Sequence, residues 1–317
     1  MKTYIFLLFF VLPVNLLFAQ ELSKSKETEL VLYTSTGNIS GTLTVADDEI
    51  KTPLIIIIPG SGAPDRDGNM LPALQTNTYK MLSEEFAKKG ISSLRYDKRG
   101  VGKSKTAITS ENELRFENYV NDVVGWISLI KQDNRFSKII LLGHSEGSLI
   151  GIIAATKSDI SEFISVAGVG KSADKLLKEQ LKNLPPQLLT ESNKIIDSLK
   201  VEKTISKVNP QLLSVFRPSL QPYLISWIKY DPSQEIIKLK IPVLLIQGTT
   251  DLQVTVNDAE LLSKAKPDAR LVIIENMNHM LKKSSSDIQE NIATYRNPEL
   301  PLQQELTDKI VKFVKAK

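Results

Sequence analysis

Six apolar runs, each closing on a polar or glycine-rich loop, limit this chain more than any other feature. They are "PLIIIIPGSG" (53–62), "GISSLRYDKRGVG" (90–102), "SKIILLGHSEG" (137–147), "EFISVAGVG" (162–170), "IPVLLIQGTTD" (241–251) and "ARLVIIENMNH" (269–279). Short continuous runs of this kind read as strands buried on both faces, the pattern of a parallel sheet. Helical periodicity fills the intervals over 76–89, 116–131, 147–157 and 258–265, and an amphipathic helix follows over 302–314. The alternation predicts a mostly parallel sheet of about eight strands covered by helices. Ahead of it, "LVLYTSTGNISGTLTV" (30–45) alternates β-branched and polar residues around Gly37-Asn38, which predicts an antiparallel hairpin.

Residues 170–239 break the rhythm. They contain no buried-strand run, while "ADKLLKEQLKNL", "PQLLTESNKIIDSLK" and "LQPYLISWIKY" carry apolar residues at helical spacing between prolines. This predicts a helical cap, inserted after the "EFISVAGVG" strand and lying over the carboxyl ends of the strands, where open α/β sheets bind ligands.

Composition narrows the chemistry. The 317 residues are 42% hydrophobic, enough for a sizeable core. Forty basic residues against 36 acidic ones, scattered along the chain, call for neither nucleic acid nor an anionic surface. With no cysteine there is no disulfide, thiolate metal site or cysteine nucleophile. Nothing implies a metal or a cofactor. Residues 1–19, within "MKTYIFLLFFVLPVNLLFAQ", read as a signal peptide cleaved near Ala19, leaving 20–317 as an exported, periplasmic or secreted chain with no stable membrane anchor. Outside the cytoplasm neither ATP nor reduced nicotinamide is on hand, whereas hydrolysis needs only water.

The segment "LLGHSEGSLIG" (141–151) places Ser145 between Gly143 and Gly147, at a turn from an apolar strand into an apolar helix. That is the context of a nucleophile elbow, in which the glycines let strand and helix approach while the serine is exposed at the tip. A serine hydroxyl needs a base, and the base an orienting acid. The chain has two histidines. His144 adjoins the nucleophile in a tight turn and is expected to point away from it and pack, so the base is His279, in the loop after the last apolar run. Asp251, ending "IPVLLIQGTTD", is the expected acid; Asp174 is the alternative, and Asp258 is expected to cap a helix. The oxyanion needs two donors, assigned to the backbone N–H groups of Glu146 and Ser61, with the Glu146 side chain facing solvent.

Taken together, "PGSG", "YDKRGVGKS", "GHSEG", "GTTD" and "NHM", in that order, resemble the α/β-hydrolase superfamily over nearly all of the chain. The combination "PGSGAPDRDGN" with "GHSEG" is most similar to secreted or periplasmic carboxylesterases of the serine aminopeptidase-like branch. Pro59 stands where many relatives have histidine, and Ser148 where many have a second glycine. The resemblance implies the α/β-hydrolase fold and cleavage of small esters with short or medium acyl chains. It also implies that Asp97 and Arg99 brace neighbouring loops; Asp65, Arg66 and Asp67, which border the oxyanion loop, are expected to do likewise, with contact to substrate as the alternative. The alternatives are an aminopeptidase-like peptidase using the same three residues and a hydrolase fold that only binds. Oligomeric state is not legible.

Overall fold

The computed structural model describes residues 25–108 and 110–316, so the expected signal peptide lies outside the described residues. Eight strands form one sheet: β1 (Lys26–Thr34), β2 (Gly37–Val45), β3 (Thr52–Ile58), β4 (Ser92–Tyr96), β5 (Phe136–His144), β6 (Glu162–Val166), β7 (Val243–Gly248) and β8 (Arg270–Ile274). Their order is β1-β2-β4-β3-β5-β6-β7-β8. Pairing is antiparallel for β1-β2 and β2-β4 and parallel from β4 to β8. The opening hairpin turns two residues earlier than the sequence suggests. Thr34 pairs with Gly37, and the Thr34 hydroxyl donates to the Gly37 carbonyl at 2.6 Å, so Ser35 and Thr36 form the turn and Gly37-Asn38 already belong to β2.

Helices α1 (Thr78–Lys88), α2 (Phe116–Ile130) and α3 (Glu146–Thr156) follow β3, β4 and β5. Between β6 and β7 the chain is helical: α4 (Ala173–Gln180), α5 (Pro186–Lys200), α6 (Leu213–Phe216), α7 (Gln221–Ile228) and α8 (Pro232–Ile236). Then come α9 (Val256–Ala265), α10 (Ile288–Ala293) and α11 (Gln304–Val314). No described helix is long and apolar enough to cross a membrane.

The strand period of two sorts side chains to opposite faces. In β3, Leu54, Ile56 and Ile58 join the core beneath α2 and α3, while Ile55 and Ile57 join the core beneath α1 and α11. Burial on both faces explains the unbroken apolar run, and truncating one of these isoleucines to alanine costs about 2–5 kcal/mol.

The order of β3 and β4 is reversed relative to the chain, so successive connections leave β3 in opposite directions and open a crevice at the carboxyl ends of β3 and β5. The "PGSG" loop and the "GHSEG" turn emerge there.

Candidate active site

β5 ends at His144 and α3 begins at Glu146, leaving one residue to reverse the chain. Ser145 does so with φ 56° and ψ −123°, a strained conformation for a side chain with a Cβ, of the kind that persists where the surroundings enforce it. Here its N–H donates to Val166 O at 3.0 Å and its carbonyl accepts from Ser148 N at 3.0 Å. The flanking glycines are required sterically. A Cβ on Gly143 would lie 2.3 Å from Gly147 O, and one on Gly147 2.3 Å from Ile58 O. Ser145 thus sits at the N-terminus of α3, where the helix dipole favours negative charge.

The residues expected as acid and base follow β7 and β8. Asp251 follows β7 by three residues and His279 follows β8 by five, and His279 Nδ1 lies 2.8 Å from Asp251 Oδ2. Both side chains are buried. Asp251 Oδ1 accepts from the N–H groups of Gln253 (2.8 Å) and Val254 (2.9 Å), and Oδ2 also accepts from Gln247 Nε2 (3.1 Å). Burial alone would raise this carboxyl, but the His279 ring and the hydrogen bonds hold its pKa below the usual carboxylate range. An ionised Asp251 makes Nδ1 the protonated ring nitrogen, which leaves His279 Nε2 as an acceptor. Asn291 of α10 joins the two loops: its amide donates to Thr250 O at 2.7 Å, and its Oδ1 accepts from Asn278 Nδ2 at 3.1 Å. Ser145 and His279 line one cavity of about 240 Å³, with Ser61, Met70, Tyr79 and Tyr295 also in its wall.

Asp174 is elsewhere, accepting from Ser172 Oγ (2.5 Å) and Lys200 Nζ (2.7 Å). Asp258 is in the capping box of α9, accepting from the Thr255 hydroxyl at 2.9 Å and its N–H at 3.1 Å. Asp97 receives the Arg66 N–H (2.9 Å) and guanidinium (2.8 Å) and the Lys103 N–H (3.0 Å), and Arg99 pairs with Asp122. Asp65 accepts from Asp67 N and Asn69 N, each at 2.9 Å, and Asp67 pairs with Arg95. Asp97 and Arg99 therefore brace loops, as the resemblance implied, and Asp65, Arg66 and Asp67 are engaged in the same way.

Glu146 corrects the sequence reading. Its side chain is buried, not solvated, because α3 is packed on every side: its first ten residues are all buried. The carboxylate pairs with Lys98 and accepts from the Tyr223 hydroxyl.

His144 turns away from Ser145, into a relay no sequence pattern announces. Its Nε2 lies 2.9 Å from the His279 carbonyl, its Nδ1 lies 2.8 Å from Tyr79 OH, and Tyr79 OH accepts from Gly60 N–H at 3.1 Å. The carbonyl can only accept, so Nε2 carries the proton and Nδ1 accepts from the tyrosine. Burial, aided by the nearby His279 ring, pushes the His144 pKa down to about 3. Unfolded, His144 protonates near 6.5, whereas folded it does so near 3, so its contribution to stability is full above pH 6.5 and is lost as pH falls toward 3. The window is worth on the order of 4–5 kcal/mol. His144→Ala is therefore expected to lower stability at pH 7 by about 1–3 kcal/mol through orphaned partners, while flattening the acid limb of stability and sparing whatever nucleophilicity Ser145 has. Urea unfolding across a pH series checks the first two, and a fluorophosphonate probe the third.

A family model described as serine aminopeptidase, S33 (Hydrolase_4) matches residues 75–285, two thirds of the chain, taking in Ser145, Asp251 and His279. The chain belongs to the serine aminopeptidase S33 family. This S33 family member is 24% identical over 252 residues to Esterase EstD of Thermotoga maritima, covering 77% of this chain and spanning 58% of that relative's length. It is 23% identical over 268 residues to a monoglyceride lipase homolog of Monkeypox virus, covering 77% of this chain and 88% of the viral one. In fold it is similar to Est1E from Butyrivibrio proteoclasticus, solved with ferulic acid bound, at a TM-score of 0.60 and 17% identity, covering 91% of this chain and all of that one. The S33 member thus has the α/β-hydrolase fold.

Proposed function

We propose that the chain hydrolyses carboxylic esters through an acyl-enzyme on Ser145. His279 Nε2 takes the proton as Ser145 Oγ attacks the ester carbonyl, and the oxyanion is met by the N–H groups of Ser61 and Glu146. The latter N–H, at the first position of α3, has no acceptor within its own helix. Collapse of the intermediate expels the alcohol, which takes the proton from His279; water, deprotonated by the same nitrogen, then releases the acid. The observation that carries the reading is the buried His279–Asp251 hydrogen bond beside a strained Ser145 in one cavity.

Cavity shape supports a division of the substrate. The leaving alcohol must lie where His279 can protonate it, in the 240 Å³ chamber. A second chamber of about 730 Å³, walled by Tyr119, Leu220, Tyr223, Leu224 and Trp227, excludes His279 and suits the acyl group. A pocket of about 40 Å³ shares Ser145 with the first chamber and Glu146 and Trp227 with the second. Tyr223, Leu224 and Trp227 belong to α7, so the helices between β6 and β7 act as the cap. The larger chamber holds medium acyl chains as well as short ones.

Esters are favoured over N-terminal aminoacyl substrates for a specific reason. Gripping a substrate ammonium needs a free carboxylate, and the acidic residues lining these chambers, Glu111 and Glu146, are already paired with Arg217 and Lys98. A panel of p-nitrophenyl esters from acetate to octanoate, beside aminoacyl p-nitroanilides, tests this. Ester turnover is expected to persist to octanoate with negligible anilide turnover; the reverse preference overturns the reading. The apolar leader pattern in residues 1–19 supports action outside the cytoplasm, which sequencing the N-terminus of the exported protein checks.

A further inference from the structure

Lys98 is a buried charge that the reaction does not use. It is 2% exposed, in the loop after β4, with its ammonium 4.1 Å from the centre of the Tyr119 ring. It donates to Gly60 O at 2.9 Å and to Glu146 Oε2 at 3.1 Å. Burial opposes its charge, yet Glu146, Tyr119 and Asp122 together leave its pKa above the ordinary lysine value. A buried ion pair is seldom more stable than apolar side chains of the same shape. Stability alone therefore does not account for Lys98.

Its two acceptors are informative. The Gly60 carbonyl and the Ser61 N–H belong to one planar trans peptide and point in opposite directions, so a cation on the carbonyl fixes where the N–H points. It also polarises the peptide, strengthening that N–H as a donor. The other acceptor is the side chain of Glu146, whose own N–H begins α3. Gly60 is held on its other side too, its N–H donating to Tyr79 OH at 3.1 Å. One ammonium thus links the loop after β3 to the elbow after β5, at the two residues that would supply the oxyanion donors.

We propose that Lys98 is a positioning residue for the oxyanion site, its ammonium fixing the Ser61 and Glu146 backbone N–H groups relative to each other. The inference rests on the proposed ester hydrolysis at Ser145. Mispointed donors weaken the transition state and leave ground-state binding alone, which separates this role from a purely structural one.

Lys98→Met/Glu146→Gln removes both charges while keeping side-chain shape, and Lys98→Met is run beside it, so that either folded protein decides the matter. For a p-nitrophenyl ester, kcat is expected to fall about 10²-fold with KM nearly unchanged, the scale of losing one oxyanion donor. Affinity for a trifluoromethyl ketone, which forms an oxyanion on Ser145, is expected to weaken by a similar factor. Wild-type kcat and ketone affinity in a folded variant would overturn the role of Lys98 while leaving the ester reading intact. Failure of a fluorophosphonate to label Ser145 in the unaltered protein would instead overturn that reading itself.

Discussion

Ser145→Ala is expected to give a folded chain whose ester hydrolysis is about 10⁴- to 10⁶-fold slower, the scale of losing a nucleophile whose partners act with it as a unit. Folding should survive because the elbow is shaped by the backbone bonds of Ser145 to Val166 and Ser148 and by the absence of side chains at Gly143 and Gly147, all of which alanine leaves in place. The same positive φ is demanded of alanine as of serine, so the strain is unchanged. Comparing thermal unfolding and p-nitrophenyl ester turnover in both purified proteins checks both halves. Undiminished turnover would remove Ser145 from the reaction.

His279→Ala is expected to abolish turnover to a similar extent, since the remaining histidine is neutral, buried and hydrogen-bonded at both nitrogens. Asp251→Asn should cost up to about 10⁴-fold by a different route. The amide oxygen would keep the two backbone N–H donors, turning its NH₂ toward His279 Nδ1. The ring would then carry its proton on Nε2, so that nitrogen could no longer accept from serine. Asp174→Asn should be mild, since Asp174 is occupied with Ser172 and Lys200. A severe Asp174 variant beside a mild Asp251 variant would reverse the assignment of the acid.

Much of this was legible in the sequence because the fold writes its site at strand ends. Each apolar run announces a strand and its loop the carboxyl edge, so Ser61, Ser145, Asp251 and His279 fall on one side of the sheet; the last run, read as buried on both faces, instead forms the edge strand β8, where only Ile274 is buried and Ile273 is exposed. What was not legible lies in contacts between distant segments. Glu146 looked like a solvated side chain because nothing near it in sequence reveals Tyr223, which reaches it from α7, or Lys98, which reaches it from the loop after β4. Tyr79 lies unremarked within the helix predicted over 76–89, yet its hydroxyl joins Gly60 to His144. The hairpin was misplaced by two residues because glycine and asparagine suit a turn wherever they occur, and register was set by cross-strand pairing instead.

The edge position of β8 bears on what turnover reports. His279 is carried by the loop beyond β8, and its acid partner by the loop beyond β7; the two loops are held together by Thr249 N to Ile274 O at 3.0 Å and Thr250 N to Met277 O at 3.2 Å. The β7–β8 pairing lies at one edge of the sheet, and it sets the loop that carries His279 beside the loop that carries Asp251. An unpaired β8 would leave the Ser145 elbow formed on β5 and α3 but without the base proposed for it. On the proposed mechanism, turnover therefore reports whether this edge of the sheet is in place.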